Sequence, residues 1–322
     1  MPGDRAGTEE PATPIEEFTE FRPLLFAIAY RVLGSVTEAE DVLQEAWLRY
    51  DAADVRPESP KAYLSTIVTR LALNVLQSAR VRREAYVGEW FPEPLLEDPY
   101  QDPERTAELA DSVSMAALLL LERLSPLERA AFVLRDVFGF DYGDIAAAVG
   151  RSEAACRQLL VRARRHVRQG RPRFHADREQ RERLAARFFE AIRAGDVQGL
   201  RDLLAADVQL VNDSGGKAPA LPRAIVGVEK NARLLSVIMP DLERAGLTLE
   251  PQEVNGEPGA LARDASGNIL QVMTLDIADG QIQTIRMVNN PDKLAHLGPL
   301  GDQWAVAEEY RRGRAAGRRE PG

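Results

Sequence analysis

The sequence predicts a multidomain protein, all-α through its first half and α+β through its second. Three observations carry this. Up to about Arg168, apolar residues recur at i, i+3 and i+4 in successive capped segments. Beyond Gly170-Arg-Pro the pattern changes to strand-like runs joined by Gly turns. A chain of 322 residues, 45% hydrophobic, also exceeds the size of one ordinary core.

Residues 1–14 are acidic and Pro/Gly-rich, without the basic and apolar regions of a signal peptide, and are expected to be disordered. Leu24 to Leu33 reads as an apolar helix closed by Gly34. Thr37-Glu38-Ala39-Glu40 has the form of a capping box opening the next helix. In that second helix Val42, Leu43, Ala46, Trp47 and Tyr50 share a face, leaving Asp41, Gln44, Glu45 and Arg49 on the other. A third helix runs from about Ala62 to Arg83, with Leu64, Ile67, Val68, Leu71 and Val75 inward and a basic end, Arg80, Arg82, Arg83. Residues 15–86 make one helical unit.

Residues 87–108 are a linker, aperiodic and proline-rich. A second helical unit spans 109–173. Ser125-Pro-Leu-Glu128 is a strong helix start, Asp141 opens a short helix stopping at Gly150, and Ser152 caps a longer basic one. Short helix, glycine turn and longer basic helix is the order of a helix-turn-helix.

In the second half, 180–297 is expected to form one α+β domain. Leu184 to Ile192 is its amphipathic helix, and Val208–Val211, Val254–Leu261, Ile269–Ile277 and Ile282–Val288 are its strands, with Ser-Gly-Asn and Asp-Gly turns between some of them. Residues 298–322 are expected to be a flexible tail.

A net charge of −9 argues against a nucleic-acid binder, but its distribution argues for one. Arg151 to Arg183 holds eleven Arg against four acids, while Glu89 to Asp111 holds eight acids against one Arg. A DNA-facing element therefore sits beside a segment that avoids phosphate or imitates it. Cys156 is the single cysteine, so no internal disulfide forms, and with three scattered histidines it makes no metal site. No metal or cofactor is expected. The absence of an eighteen-residue apolar run points away from a membrane and toward the cytoplasm.

From Ser152 onward, Cys156, Leu159, Leu160, Ala163 and Val167 form the inner stripe, and Glu153, Arg157, Gln158, Arg162, Arg164 and Arg165 face outward. In a major groove, Arg bridges guanine O6 and N7, and Gln does the same for adenine N6 and N7. A solvated helix face explains such charge equally well when the helix is taken alone. The capped helix and glycine turn before it favour DNA.

Asp41-Val-Leu-Gln-Glu-Ala-Trp-Leu48 resembles the polymerase-binding motif of extracytoplasmic-function (ECF) sigma factors, and Pro60-Lys-Ala-Tyr-Leu64 through Arg83 resembles their minus-10 recognition region. The region 2 then region 4 plan matches across about Glu16 to Arg173. The resemblance implies that Asp41, Leu43, Gln44, Glu45 and Leu48 dock on core RNA polymerase. Arg56, Ser59, Lys61, Tyr63, Arg70, Asn74, Arg80, Arg82 and Arg83 would then capture minus-10 DNA, where opened strands are held by stacking and cations. Ser152, Glu153, Arg157, Gln158, Arg162, Arg164 and Arg165 would read the minus-35 element. Asn74 and Gln77 stand where members often have Asp and Arg.

Trp90-Phe-Pro-Glu-Pro94, Asp213-Ser-Gly-Gly-Lys217 and Asn290-Pro-Asp-Lys-Leu294 are similar to motifs of the sigma factors that end in a cone-shaped SnoaL-like domain, with Ser214 departing from a glycine. The resemblance implies regulation in cis without a separate anti-sigma protein, possible binding of a small molecule, and contacts through Trp90, Pro92, Glu93, Pro94, Asp213, Gly215, Gly216, Lys217, Asn290, Pro291, Asp292, Lys293 and Leu294. The acidic linker, with Glu97, Asp98 and Asp102, suits a path through the polymerase channel.

Two rivals compete with initiation. A SnoaL-like enzyme would use an acid/base set such as Asp213, Asp276 and Lys217 around a dry pocket, where His296 is the single histidine of residues 180–297. A ligand-responsive repressor would use the helix-turn-helix but leave the Asp41–Leu48 motif without a purpose.

Overall fold

The first helix begins where the sequence supplies several N-terminal devices together. In this computed structural model, which describes residues 13–53, 57–84, 86–100, 112–170, 178–244 and 246–317, the Thr13 amide donates to Glu16 at 2.8 Å, and Thr13 accepts from the Glu16 amide. Pro14 takes the first helical position. Thr13 and Pro14 thus belong to a helix rather than to the expected disordered stretch, of which 1–12 lie outside the described residues.

That helix, α1 (Pro14–Leu33), ends at Gly34 with a left-handed φ of 70°. A Cβ on Gly34 would also press on the Trp90 ring at 3.2 Å, so glycine serves the helix end and the linker together. α2 (Val36–Asp51) is capped by Ser35, whose hydroxyl accepts from the Glu38 amide at 3.0 Å. The expected cap, Thr37, is displaced because Glu93 of the linker accepts from the Val36 and Thr37 amides at 2.8 and 3.0 Å. α3 (Pro60–Glu84) completes the bundle, with Leu64, Val68 and Leu71 buried.

α4 (Met115–Glu122), α5 (Pro126–Phe132), α6 (Tyr142–Val149) and α7 (Glu153–Gly170) form the second helical unit. Ser125 and Glu128 make the expected capping box. A π-helical turn, Val133–Val137, extends α5. All five residues of the inner stripe on α7 are buried.

Two separately folded helical units are expected from the linker between them, yet one apolar cluster runs from Phe18 to Val167 through both. Polar contacts rim it. Arg129 donates to the Val32 carbonyl at 2.9 Å, Arg31 Nε to Ser112 at 2.8 Å, and Arg70 to the Ala147 carbonyl at 2.7 Å.

The C-terminal unit is the expected α+β domain. α8 (Arg178–Ala194), α9 (Val197–Leu203) and α10 (Val228–Arg244) pack against a sheet ordered β2-β1-β6-β5-β4-β3. Its strands are β1 (Leu204–Asp213), β2 (Ile225–Val226), β3 (Thr248–Val254), β4 (Glu257–Arg263), β5 (Ile269–Ala278) and β6 (Gln281–Val288). β1 runs parallel to β6 and the other pairs are antiparallel.

Three expectations fail here. Val254–Leu261 is not one strand, because Asn255-Gly256 reverses the chain with φ of 55° and 69°. α10 has no counterpart among the expected elements, although Val228, Ala232, Leu235, Met239 and Leu242 follow a four-three spacing. The tail from 298 is helical over α12 (Gln303–Gly317), after the short α11 (Pro291–Leu294). Gln303 donates to the Leu270 carbonyl at 2.7 Å and Val306 packs on the core, which ties α12 to the sheet. Residues 318–322 lie outside the described residues.

Candidate polymerase, promoter and interdomain surfaces

On α2 the helical period places Asp41, Gln44, Glu45 and Leu48 outward. All four are exposed, and Leu48 is 57% exposed, an apolar residue set in an acidic face. Leu43 is a correction: at 2% exposure it packs in the core and leaves no surface for polymerase. It falls one residue from Val42 on the stripe that meets α1 and α3.

The minus-10 set is only partly open. Ser59 caps α3, accepting from the Ala62 amide at 3.3 Å, and Asn74 is exposed. Tyr63 packs on Tyr50 with ring centres 6.1 Å apart. Two cations are engaged by the second helical unit: Lys61 lies 5.7 Å over the Phe140 ring, and Arg70 is held by Ala147 at the end of α6. Arg56 lies outside the described residues, as do the side chains of Arg80, Arg82 and Arg83.

On α7, Ser152 accepts from the Ala155 amide at 3.3 Å and sets the helix start. Arg157 pairs with Glu153 at 2.8 Å and stacks 4.5 Å over Tyr142. Arg162 meets Glu128 at 2.8 Å, and Arg164 takes both oxygens of Asp136. Those two cations fasten α7 to α5 and to the π-helical turn that extends it. Gln158 and Arg165 are exposed, and their side chains make no hydrogen bond or ion pair among the described residues.

The motif residues of the linker and of the two C-terminal loops converge. β1 pairs in parallel with β6, with Asp213 opposite Val288, so both strands discharge their loops at the same edge. The Asn289 and Asn290 amides donate to the Asp213 carbonyl at 2.9 and 3.0 Å. Asp213, with no exposure, receives Lys293 at 2.6 Å, the Phe91 amide at 2.8 Å and the Tyr86 hydroxyl. Lys293 also donates to the Phe91 carbonyl and lies 4.3 Å over Trp90 and 4.8 Å over Tyr86. Burial and the Asp213 carboxylate hold the Tyr86 phenol far above its ordinary pKa, so it remains a donor.

Around this pair the other motif residues have clear duties. A Cβ on Gly215, at φ 57°, would collide with the Asn290 amide and the Tyr86 hydroxyl. Asn290 donates to Tyr86 at 2.7 Å, Pro291 opens α11, and Leu294 is fully buried. Pro92 and Pro94 are buried with the linker, whereas Gly216 is exposed beside Val87. Lys217 and Asp292 pair at the surface, worth little, and Trp304 of α12 donates to the Lys217 carbonyl at 3.1 Å.

A second junction escaped the sequence reading. The tip of the β3–β4 hairpin enters the helical half, where Asn255 is 1% exposed. Its Oδ1 accepts from the Leu95 amide at 3.1 Å, and its Nδ2 donates to the Tyr30 hydroxyl at 2.7 Å and the Val113 carbonyl at 3.0 Å. Tyr30 in turn donates to the Glu93 carbonyl at 2.7 Å. One residue thus touches α1, the linker and the segment leading into α4. Burial pushes the Tyr30 hydroxyl well above the usual phenol range. The only sequence signal was Asn255-Gly256, which lay inside a run read as strand.

Asp98, expected in the acidic path through the polymerase channel, is instead turned inward. Arg31, 1% exposed, meets Asp98 at 2.7 Å and lies 5.3 Å from the Phe138 ring centre. Asp98 therefore compensates a buried cation. Glu97 is exposed and Asp102 lies outside the described residues.

The acid/base candidates do not converge. Asp213 faces Lys293, Asp276 faces Arg286 and Lys217 faces Asp292. Among the described residues no cluster of three or more His, Cys, Asp or Glu is placed to hold a metal, and no helix is long and apolar enough to cross a membrane.

The helical half matches two family models, Sigma-70 region 2 over residues 18–82 and Sigma-70 region 4 over residues 114–167. The two units are regions 2 and 4 of a sigma-70-type initiation factor. The chain is 37% identical over 291 residues to the ECF RNA polymerase sigma factor SigJ of Mycobacterium tuberculosis strain ATCC 25618 / H37Rv, covering 87% of this chain and 92% of that protein. It is 31% identical to the probable ECF RNA polymerase sigma factor SigI of the same strain, over 86% and 93%. The crystal structure of M. tuberculosis SigJ aligns with a TM-score of 0.69 and 34% identity, covering 89% of this chain and all of that one. The chain belongs to the ECF RNA polymerase sigma factors. Its partners are core RNA polymerase and promoter DNA, and the repressor reading is not favoured.

Proposed function

We propose that this sigma factor is regulated in cis by its SnoaL-like domain, which clasps regions 2 and 4 together and releases them for initiation. The contact of Arg70 with Ala147, 2.7 Å between region 2 and region 4, carries the reading. Elements centred at minus 35 and minus 10 lie about 25 base pairs apart, about 85 Å at 3.4 Å per pair. Two regions that share one core cannot span that distance, so the chain must open to engage both elements.

The clasp has two parts, the Asp213–Lys293 pair on the linker and Asn255 in the helical half. The exposed α2 face docks on polymerase, the α3 residues take the minus-10 strand, and α7 reads the minus-35 element. The domain acts by holding rather than by catalysis, and it makes a separate anti-sigma protein unnecessary. The work is that of the cytoplasm, where polymerase and promoter are. A cavity of about 240 Å³ between α10, α12 and the sheet, lined by Met239, Leu247, Met273, Asn289 and Gln303, offers a small apolar molecule a seat behind the Asn290 loop.

In vitro transcription compares the full chain with a chain ending before Gln180. Truncation should change both the level and the regulation of promoter-dependent transcript. Equal output from both chains refutes regulation in cis.

A further inference from the structure

Region 4 presents one outward feature that charge does not explain. The apolar stripe of α7 from Cys156 to Val167 faces inward, and the helical period puts Ala154, Gln158, Val161 and Arg165 on the line opposite it. All four are exposed. The other arginines expected to read bases stand to either side of that line and already have partners: Arg157 on Glu153 and Tyr142, Arg162 on Glu128, and Arg164 on Asp136. Val161 is 67% exposed, and among the described residues of region 4 no other large apolar side chain is exposed. Neither burial nor helix propensity favours valine there, because a β-branched residue forms helix less readily than the Ala, Gln and Arg around it.

We infer that Val161 is a specificity residue of α7, which reads the 5-methyl group of a thymine in the major groove one base pair away from an adenine taken by Gln158. The inference rests on the assignment of α7 to minus-35 DNA. Val161 lies three residues beyond Gln158, about 4.5 Å along the helix, against about 3.4 Å for one base-pair step. Thymine is the base that shows an apolar group in the major groove, and an exposed aliphatic side chain is a fitting partner for it. Valine also suits the task. In a helix it keeps one strongly preferred rotamer, so its two methyls are fixed before DNA arrives and little freedom is lost on contact. Arg165, one turn further on, is placed to hold a flanking phosphate. The minus-35 element therefore carries two neighbouring A·T pairs at this point, and Val161 senses the methyl rather than the pairing.

The test uses holoenzyme assembled from the full chain and core polymerase. It selects duplexes from a library randomised at both promoter windows, and Kd is then measured by fluorescence anisotropy on the selected duplex. Gln158→Ala should relax selection at one A·T pair of the upstream motif, which marks the neighbouring thymidine as the one to alter. Deoxyuridine in its place removes the methyl and keeps the pairing. The parent holoenzyme should bind the uracil duplex about fourfold more weakly, the worth of one buried methyl, while Val161→Ala holoenzyme should bind both duplexes alike. Val161 is exposed, so its replacement leaves the core of region 4 intact.

Equal binding of the two duplexes by the parent overturns the inference, and so does discrimination that survives in Val161→Ala. A motif relaxed by Gln158→Ala but flanked at that position by G·C pairs leaves the assignment of α7 standing and overturns the role of Val161. If Gln158→Ala and Val161→Ala both leave the upstream motif and the Kd unchanged, α7 does not read DNA, and the assignment and the inference fall together.

Discussion

Replacing Asn255 with glycine removes the hairpin's grip on the helical half without disturbing the turn that carries it. Glycine adopts the φ of 55° freely, so the β3–β4 reversal survives. The side chain takes with it the partners of the Leu95 amide and the Val113 carbonyl, whereas Tyr30 keeps the Glu93 carbonyl. Two orphaned buried groups cost about 1–3 kcal/mol each, about 2–6 kcal/mol together, all of it on the closed state. At about 1.4 kcal/mol per tenfold, even the lower figure moves the balance between closed and open by about 30-fold. Dyes at Glu20→Cys and Gln169→Cys report the separation of regions 2 and 4 by energy transfer. The Asn255→Gly chain should show a larger long-distance population and more transcript from the same promoter. Asn255→Ala should do the same but also melt the C-terminal domain earlier, since alanine pays about 1–2 kcal/mol for the left-handed turn. An unchanged distance distribution in a folded Asn255→Gly chain would refute the role given to the hairpin tip.

Lys293→Met leaves Asp213 buried without its cation, a loss of about 3–5 kcal/mol, and should lower the melting temperature and expose residues 86–95 to protease. Asp213→Asn in the same chain should recover part of the loss; a Lys293→Met chain that melts like its parent would show that the pair does not fasten the linker. Glu93→Gln removes a charge from the α2 N-terminus, and faster hydrogen exchange at Val36 and Thr37 should reveal a cost of about 0.5–2 kcal/mol. On minus-35 DNA, Arg165→Ala should weaken all sequences alike and reduce the salt slope by about one, whereas Gln158→Ala should cost about 1–3 kcal/mol on the cognate base pair only. Titrations at several salt concentrations separate the two, and a base-specific loss at Arg165 would contradict a phosphate role.

Local signals accounted for the helical half. Caps at Ser125 and Ser152, the glycines at 34 and 150 and the stripe from Cys156 to Val167 act within a turn or two of themselves, so their positions follow from neighbours in sequence. Thr37 does not cap its helix, for the opposite reason. Its helix is capped in part by Glu93, a carboxylate that only the folded chain brings near. The α2 face was legible from period and motif, but Leu43 shows the limit of a motif, which names a string without saying which members face inward. The three C-terminal and linker motifs were found as strings; that they meet at one buried pair depends on β1 lying parallel to β6, a pairing no local pattern encodes. Asn255 was invisible because its partners, Tyr30, Leu95 and Val113, come from three other parts of the chain. The shared core of regions 2 and 4 belongs to the same class, since apolar stripes declare that they are buried but not against what.

The parallel pairing of β1 with β6 also divides the C-terminal domain into two parts with separate freedom to vary. Asp213 ends β1 and Lys293 sits on the loop and short helix that follow β6, so their meeting does not depend on the length or lining of what is folded between them, although they stand 80 positions apart in sequence. Insertions in the β2–α10 or β4–β5 connections, or new side chains on the cavity wall, would change what the cone admits without shifting the register that grips the linker. A family built on this arrangement can diversify its inputs while every member keeps the same handle on its helices.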